Sequence, residues 1–377
     1  MCRLSPPMDQ RGRASDSARY SSVVPERGQP MMNTGDVINQ NSLDRLADTS
    51  RVLDGADDAL APQRSEPFFV IGAHRSGTTL LRYMLSSHPR LYLPPESEFI
   101  PAFFSRSPTR PLNRIESRRI LRKIFRLRFV REWRGAPPDI DDLVLEGETI
   151  TPARLVDALY LAYANQHGAA RWGDKTPTYT SHIDLLHRIF PRARFIHLFR
   201  DGRDVALSVL DTWGRRAHVD LVFAARTWKR RVIEARRSLG RLRPEFFLEL
   251  RYEDLVVDPR PQLRRICRFL DEDFHPNMLQ FHLAAEESIR EGGFHDAVRN
   301  LLTTERIDRW RREMSASDLR VFEAVAGPSL TGLGYEVAGQ RPPTATDRLR
   351  IAVLSAKYSI YRLVRRFAEL LGLRMPN

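Results

Sequence analysis

Apolar positions recur along this chain in two rhythms. Phe68-Phe69-Val70-Ile71 is a continuous apolar run ahead of a glycine, the pattern of a strand buried on both faces. Leu80, Leu81, Met84 and Leu85 then follow at helical spacing and predict a helix over 78–87, with a turn at 91–95. Further strands are expected over 170–172, 194–199 and 246–250, the second from the β-branched and aromatic alternation RFIHLF. Helical spacing predicts helices over 105–134, 151–167, 181–190, 201–210, 221–242, 259–270, 304–314 and 317–326. The helix at 151–167 opens on Thr151 as N-cap with Pro152 in its first position. Strands alternating with helices argue for a parallel sheet covered on both faces.

Both ends of the chain read differently. Residues 1–64 are rich in Ser, Asp, Gly, Pro and Arg and poor in aromatics, and are expected to be a mostly disordered tail with one short helix around 42–52. GQRPPTAT at 339–346 reads as a linker. Beyond it 347–373 is an amphipathic basic helix, with Leu349, Val353, Ile360, Leu363, Val364, Phe367 and Leu371 on or near one side. That side is expected to pack on the core or on a second subunit, or to lie on a membrane surface. The expected division is therefore 1–64, a globular domain over 65–338, and 339–377.

Composition narrows the picture. The 377 residues are 42% apolar and 28% charged, the balance of a globular protein. No apolar run reaches the roughly 18–20 residues of a membrane span. Residues 1–30 contain no apolar stretch after their basic residues, so no secretory signal is expected. The cysteines are Cys2 and Cys267, which excludes a disulfide framework and a cysteine metal cluster and points to a reducing, cytoplasmic setting. The net charge is +13, and 1–64 hold 8 arginines and 9 acids, so the excess lies in the chain after residue 64 and suits an acidic partner. Four of the 60 cations are lysines: Lys123, Lys175, Lys229 and Lys357.

The sharpest motif is Gly72-Ala73-His74-Arg75-Ser76-Gly77-Thr78-Thr79, between a predicted strand and a predicted helix. In that context backbone N–H groups at the helix start lack partners and favour an oxyanion. Glycines at both ends permit close approach, and Thr78 and Thr79 add hydroxyl donors. The lysine that a nucleoside-triphosphate loop places after its second glycine is replaced by Thr78, and the cation sits inside the loop at Arg75. No strand-end aspartate is evident for a metal. A second motif, RFIHLFRDGRDVALSVL over 194–210, sets Arg200 at the carboxyl end of a strand and Ser208 in the next helix. Ligands of open parallel sheets bind at that end, and this pair suits a second phosphate.

Together these segments resemble the sulfotransferases that use 3′-phosphoadenosine-5′-phosphosulfate (PAPS). The pattern RSGTTLLRYMLSSHP is similar to the branch that includes tyrosylprotein sulfotransferases and many bacterial sulfotransferases. The resemblance spans about 66–335 and implies a P-loop NTPase-like sulfotransferase fold, α/β with a parallel sheet flanked by helices. It implies that Arg75, Ser76, Gly77, Thr78 and Thr79 contact the 5′ side of the nucleotide, and that Arg200 and Ser208 contact its 3′-phosphate. It also implies a catalytic glutamate in LYLPPESEFI at 91–100, where Glu96 lies 21 residues after Arg75 and Glu98 is a neighbouring rival. Lys175 in GDKTP (173–177) would contact the transferring sulfuryl group with Arg75, and Tyr252 in RYEDL (251–255) would touch the nucleotide. A loop within 292–310 would close over the nucleotide, with Arg299 where the branch has a lysine; the serine expected before it is not evident. Trp310 is expected to pack.

The implied reaction moves a sulfuryl group from PAPS to a hydroxyl acceptor by in-line displacement and releases the desulfated nucleotide (PAP), with no metal. The acceptor classes left open are a glycan, a glycolipid, a peptide tyrosine and a small metabolite. Two rival readings remain: a P-loop kinase or NTPase acting on ATP, which lacks its loop lysine here, and a nucleic-acid-binding protein. The latter rests on net charge alone and is not expected, since no interleaved basic and aromatic motif is present.

Overall fold

A computed structural model describes residues 66–133, 135–144, 149–216, 218–283, 302–338 and 342–370, with Glu369 and Leu370 described by backbone alone. The chain divides into two units, Met1–Pro62 and Gln63–Asn377, and the first lies outside the described residues together with the tail and helix expected there.

Strands and helices alternate as β1 (Phe68–Ile71), α1 (Thr78–Ser86), β2 (Leu91–Tyr92), α2 (Phe99–Phe104), α3 (Arg114–Phe125) and α4 (Pro152–Gln166). There follow β3 (Arg171–Asp174), α5 (Ile183–Ile189), β4 (Arg194–Phe199), α6 (Gly202–Trp213) and α7 (Leu221–Leu239). The described chain continues with β5 (Phe247–Arg251), α8 (Tyr252–Val257), α9 (Pro259–Phe269), α10 (Ala316–Thr331) and α11 (Ala345–Leu370). The strands form one sheet in the order β2-β3-β1-β4-β5, and all four pairings are parallel.

The two-residue period of β1 explains why its run is wholly apolar. Phe68 and Val70 join a core with Ile196, Leu198, Leu81 and Leu263 on one face of the sheet. Phe69 and Ile71 join Trp172, Phe195, Leu159 and Leu186 on the other. A third cluster, around Val205, Trp228 and Phe322, packs α6, α7 and α10 together.

Some boundaries depart from the sequence pattern for identifiable reasons. The expected helix over 105–134 is α3 and a single turn at Arg128–Arg131, because Pro108 and Pro111 interrupt its first third. Asn113 caps α3 with a complete capping box to Glu116. The helix expected over 304–314 splits into Thr304–Arg306 and Arg309–Glu313, with Asp308 left-handed at φ 52° between them. The turn at 91–95 opens with the edge strand β2. The N-cap of α4 is Thr151, whose hydroxyl accepts from Arg154 N–H.

Candidate active site

The phosphate-loop motif leaves β1 at its carboxyl end, and the other candidate residues leave neighbouring strands at the same edge. Glu96 follows β2, Lys175 follows β3, Arg200 follows β4 and Tyr252 follows β5. A parallel sheet therefore gathers at one edge residues that are up to 177 positions apart in sequence.

The loop itself is held tightly. Gly72 N–H donates to Thr180 Oγ1 at 3.0 Å, and that hydroxyl donates back to Gly72 O at 3.0 Å. A Cβ on Gly72 would lie 2.4 Å from Leu198 O. Gly77 has φ +91°, and a Cβ there would lie 2.3 Å from the Tyr252 ring. Gly77 is the N-cap of α1 and no side chain caps that helix, so its first N–H groups face the loop. Arg75 is also left-handed, at φ 66°, a strained conformation for a residue with a Cβ.

A cavity of about 110 Å³ opens over this loop. Arg75, Gly77, Thr78, Thr79, Arg200 and Ser208 line it with Tyr252, and Leu302, Thr303 and Arg306 also line it. Arg75 Nε donates to Ser208 Oγ at 2.9 Å. Arg200 donates to Arg75 O at 3.4 Å and to Arg306 O, and its guanidinium lies over the Tyr252 ring, 4.4 Å from the centroid. Burial lowers the Arg75 pKa, and the charges of Arg306 and Arg200 lower it further. Like charges so close together favour an anion between them. Arg200 Nε is buried without a hydrogen-bond partner, which leaves a further donor for such an anion; Ser76 Oγ is also buried without one, but Ser76 is not among the residues that line the cavity. Asp204, pushed up to about 6 by burial, lies 3.7 Å from Arg200 and accepts from Trp310 N–H at 2.9 Å. Trp310 is buried, with Arg203 stacked 3.5 Å from its ring centroid, so it packs.

Beside this cavity lies an ion pair. Lys175 Nζ is 2.6 Å from Glu96 Oε1 and 3.4 Å from Thr79 Oγ1. The Lys175 side chain is 4% exposed and that of Glu96 is 30%, so the glutamate is the more accessible member of the pair. Burial pushes the Glu96 carboxyl up, but the charge and hydrogen bond of Lys175 outweigh it and hold it below its ordinary value. Burial likewise lowers Lys175, against the pull of Glu96. Glu98 is the left-handed N-cap of α2 at φ 55° and is not the carboxylate paired with Lys175.

Several site residues escape sequence reasoning. Between Glu96 and Lys175 runs a buried network in which Ser97 N–H donates to Thr176 Oγ1 at 3.0 Å and Ser97 Oγ to Asp174 Oδ2 at 2.6 Å. Tyr160 also donates to Asp174, and Tyr179 shares a 2.7 Å hydrogen bond with Ser97 Oγ. Burial raises the Asp174 pKa. The adjacency of Asp174 to Lys175 was the sole signal for this network; nothing local marks Tyr160. His74 stands edge-on to Trp213 at 6.0 Å, and burial, with Arg231 adding, lowers its pKa to about 4, so the ring is neutral. Arg299 lies outside the described residues, and within the described part of the expected closing loop, 302–310, Leu302, Thr303 and Arg306 line the cavity. Among the described residues no group of three or more His, Cys, Asp or Glu is arranged to hold a metal ion.

The arrangement, an anion cradle beside a carboxylate–ammonium pair, suits group transfer from an anionic donor. The chain matches the sulfotransferase family over residues 67–276, more than half its length. The chain belongs to the sulfotransferase family. Protein-tyrosine sulfotransferase A of Caenorhabditis elegans is 26% identical to this sulfotransferase over 74% of its chain and 70% of the relative. The nodulation protein NoeE of Sinorhizobium fredii is 28% identical over 71% of this chain and 65% of that protein. Among solved structures, the sulfotransferase domain of the Synechococcus olefin synthase aligns over 74% of this chain and 99% of its own, at 24% identity and TM-score 0.49. As a member of that family, this sulfotransferase is an enzyme of sulfuryl transfer.

Proposed function

We propose that this enzyme takes its sulfuryl group from PAPS, with Glu96 as general base and Lys175 as the cation that neutralises the transferring group. The 2.6 Å Lys175–Glu96 pair beside Thr79 of the phosphate loop carries the reading. The cradle supports the donor assignment. Ser76, Thr78, Thr79 and the N–H groups opening α1 suit the 5′ end of the nucleotide, and Arg200 and Ser208 suit the 3′-phosphate. Arg75 bridges the two through Ser208. Tyr252 supplies an aromatic wall.

In the resting pair Lys175 restrains Glu96, since a carboxylate below its ordinary pKa is a weak base. An incoming sulfuryl oxygen competes for the Lys175 ammonium. As Lys175 turns to it, burial is left to raise Glu96, which then accepts the proton of the attacking hydroxyl. The acceptor oxygen forms its bond to sulfur while the bond from sulfur to the 5′-phosphate oxygen breaks, and Lys175 with Arg75 stabilises the charge left on that oxygen. The buried Ser97–Asp174–Tyr160 network fixes the backbone on either side of this pair. Among hydroxyl acceptors, the relatives named as protein-tyrosine sulfotransferases favour a tyrosine phenol.

Transfer of labelled sulfate from PAPS to tyrosine-containing peptides, with glycan and small-molecule hydroxyls alongside, tests the reading. Label on a hydroxyl that depends on Glu96 supports it. No transfer to any acceptor, or unchanged transfer in Glu96→Gln, overturns the assignment of roles.

A further inference from the structure

The helix α11 spans 26 residues and shows its two sides to different surroundings. Its inner side packs on the body through Ile351 and Leu354. Tyr361 stacks on His218 with ring centroids 4.4 Å apart, and Tyr358 meets Phe223 at 5.7 Å. Asp347, at the N-terminal end of that side, is buried on Arg320 at 2.7 Å. The opposite side carries Leu349, Val353, Ile360, Leu363, Val364 and Phe367, each between 48% and 66% exposed. These recur at steps of three, four and seven residues, which stacks them in one stripe along the axis. A contiguous apolar stripe of this length marks an interaction surface.

Its borders say what covers it. Arg348, Arg362 and Arg366 are exposed along one edge. Arg350 and Lys357 lie along the other; each is 40% exposed although it bonds Asp318 at 2.7 Å or Asp220 at 2.9 Å. From 345 to 368 the sequence contains one acid, the buried Asp347. A second copy of this helix laid on the stripe would set cations against cations along both edges, in either orientation, where paired helices carry opposite charges. An anionic bilayer takes the same pattern without conflict: the apolar stripe enters the acyl boundary and the flanking cations reach the phosphates. No helix among the described residues is long and apolar enough to cross a membrane, so this contact lies in the plane of the surface.

We propose that α11 is an in-plane docking helix that binds this enzyme to anionic phospholipid bilayers through the Leu349–Phe367 stripe. Membrane attachment is separate from the donor and acceptor assignments and stands or falls without them.

The test is co-sedimentation of the full chain with vesicles of phosphatidylcholine alone and of phosphatidylcholine with phosphatidylglycerol. The companion variant is Leu363→Asp with Phe367→Asp, both on the exposed side, with its melting curve as the check on folding. The expected result is binding to phosphatidylglycerol vesicles that weakens as salt rises, and a partition coefficient at least about tenfold lower in the folded double variant. No binding to phosphatidylglycerol vesicles overturns the proposal, as does equal binding to neutral ones or undiminished binding by the double variant. A dimer in sedimentation velocity that the double variant abolishes, without vesicle binding, assigns the stripe to a second copy instead.

Discussion

Arg75 Nε donates to Ser208 Oγ at 2.9 Å, which ties the phosphate loop after β1 to the helix after β4. The two residues belong to motifs 133 positions apart, and they meet because β1 and β4 are adjacent and parallel. The hydroxyl holds the Arg75 side chain over the cavity where Arg200 also points. Ser208→Ala should therefore weaken binding of PAP by about tenfold or more, since a hydrogen bond to a charged group contributes about 1.5–3 kcal/mol. Calorimetry reads this directly. Affinity within twofold of wild type would place Ser208 outside the nucleotide site.

Lys175 carries the heaviest expected loss of rate. Removing one donor to the charge that develops in the transition state costs about 2.7–4 kcal/mol, a factor of about 10² to 10³ in kcat. Lys175→Ala should lose that factor while its affinity for PAP, which lacks the sulfuryl group, changes little. Glu96→Gln should lose a comparable factor. Steady-state kinetics with PAPS and a saturating acceptor decides both, and near-wild-type turnover in the two variants would remove this pair from the mechanism.

The same pair predicts a pH effect with a definite sign. A base must be deprotonated, and Lys175 holds Glu96 below its ordinary range, so the acidic limb of kcat/KM for the free enzyme lies below that range. In Lys175→Met burial acts on Glu96 without its counter-charge, and the carboxyl pKa rises. The acidic limb of the residual activity should move to higher pH. An unmoved limb in the pH–rate profile would mean that another group is titrating.

Gly77→Ala should damage fold and site together. Its φ of +91° disfavours any Cβ, and the added carbon would lie 2.3 Å from the Tyr252 ring. Left-handed strain of about 1–3 kcal/mol corresponds to a melting temperature lower by roughly 2–10 °C in a domain of this size. Nucleotide affinity should fall as well, because Tyr252 must shift. A variant with unchanged melting and binding would show that the loop relaxes freely at Gly77.

The central strands were legible in the sequence because β1 is buried on both faces and reads as a short apolar run, and β4 is rich in aromatic and β-branched residues; the two-residue edge strand β2 is too short to show a pattern and reads as a turn. Both phosphate motifs were legible because glycines, hydroxyls and an arginine must follow a strand closely to cradle an anion there. Glu96 and Lys175 were reached by resemblance, since nothing in the local pattern joins residues 79 positions apart. The Tyr160–Asp174 contact was hidden for the same reason: α4 and β3 meet through packing. In α11 periodicity found the apolar stripe and not its direction. The inner side is held by Ile351 and Leu354, by Tyr358 on Phe223 and by the Arg350–Asp318 ion pair, and none of these contacts is evident from the period of the apolar residues.

Calorimetric titration with PAP, run beside ADP and ATP without magnesium and repeated in Arg200→Ala, tests the central claim most directly. The account predicts micromolar binding of PAP, much weaker binding of ADP, which lacks the 3′-phosphate, and loss of PAP binding in the variant. Equal binding of ADP and PAP, or preference for ATP once magnesium is added, would contradict it.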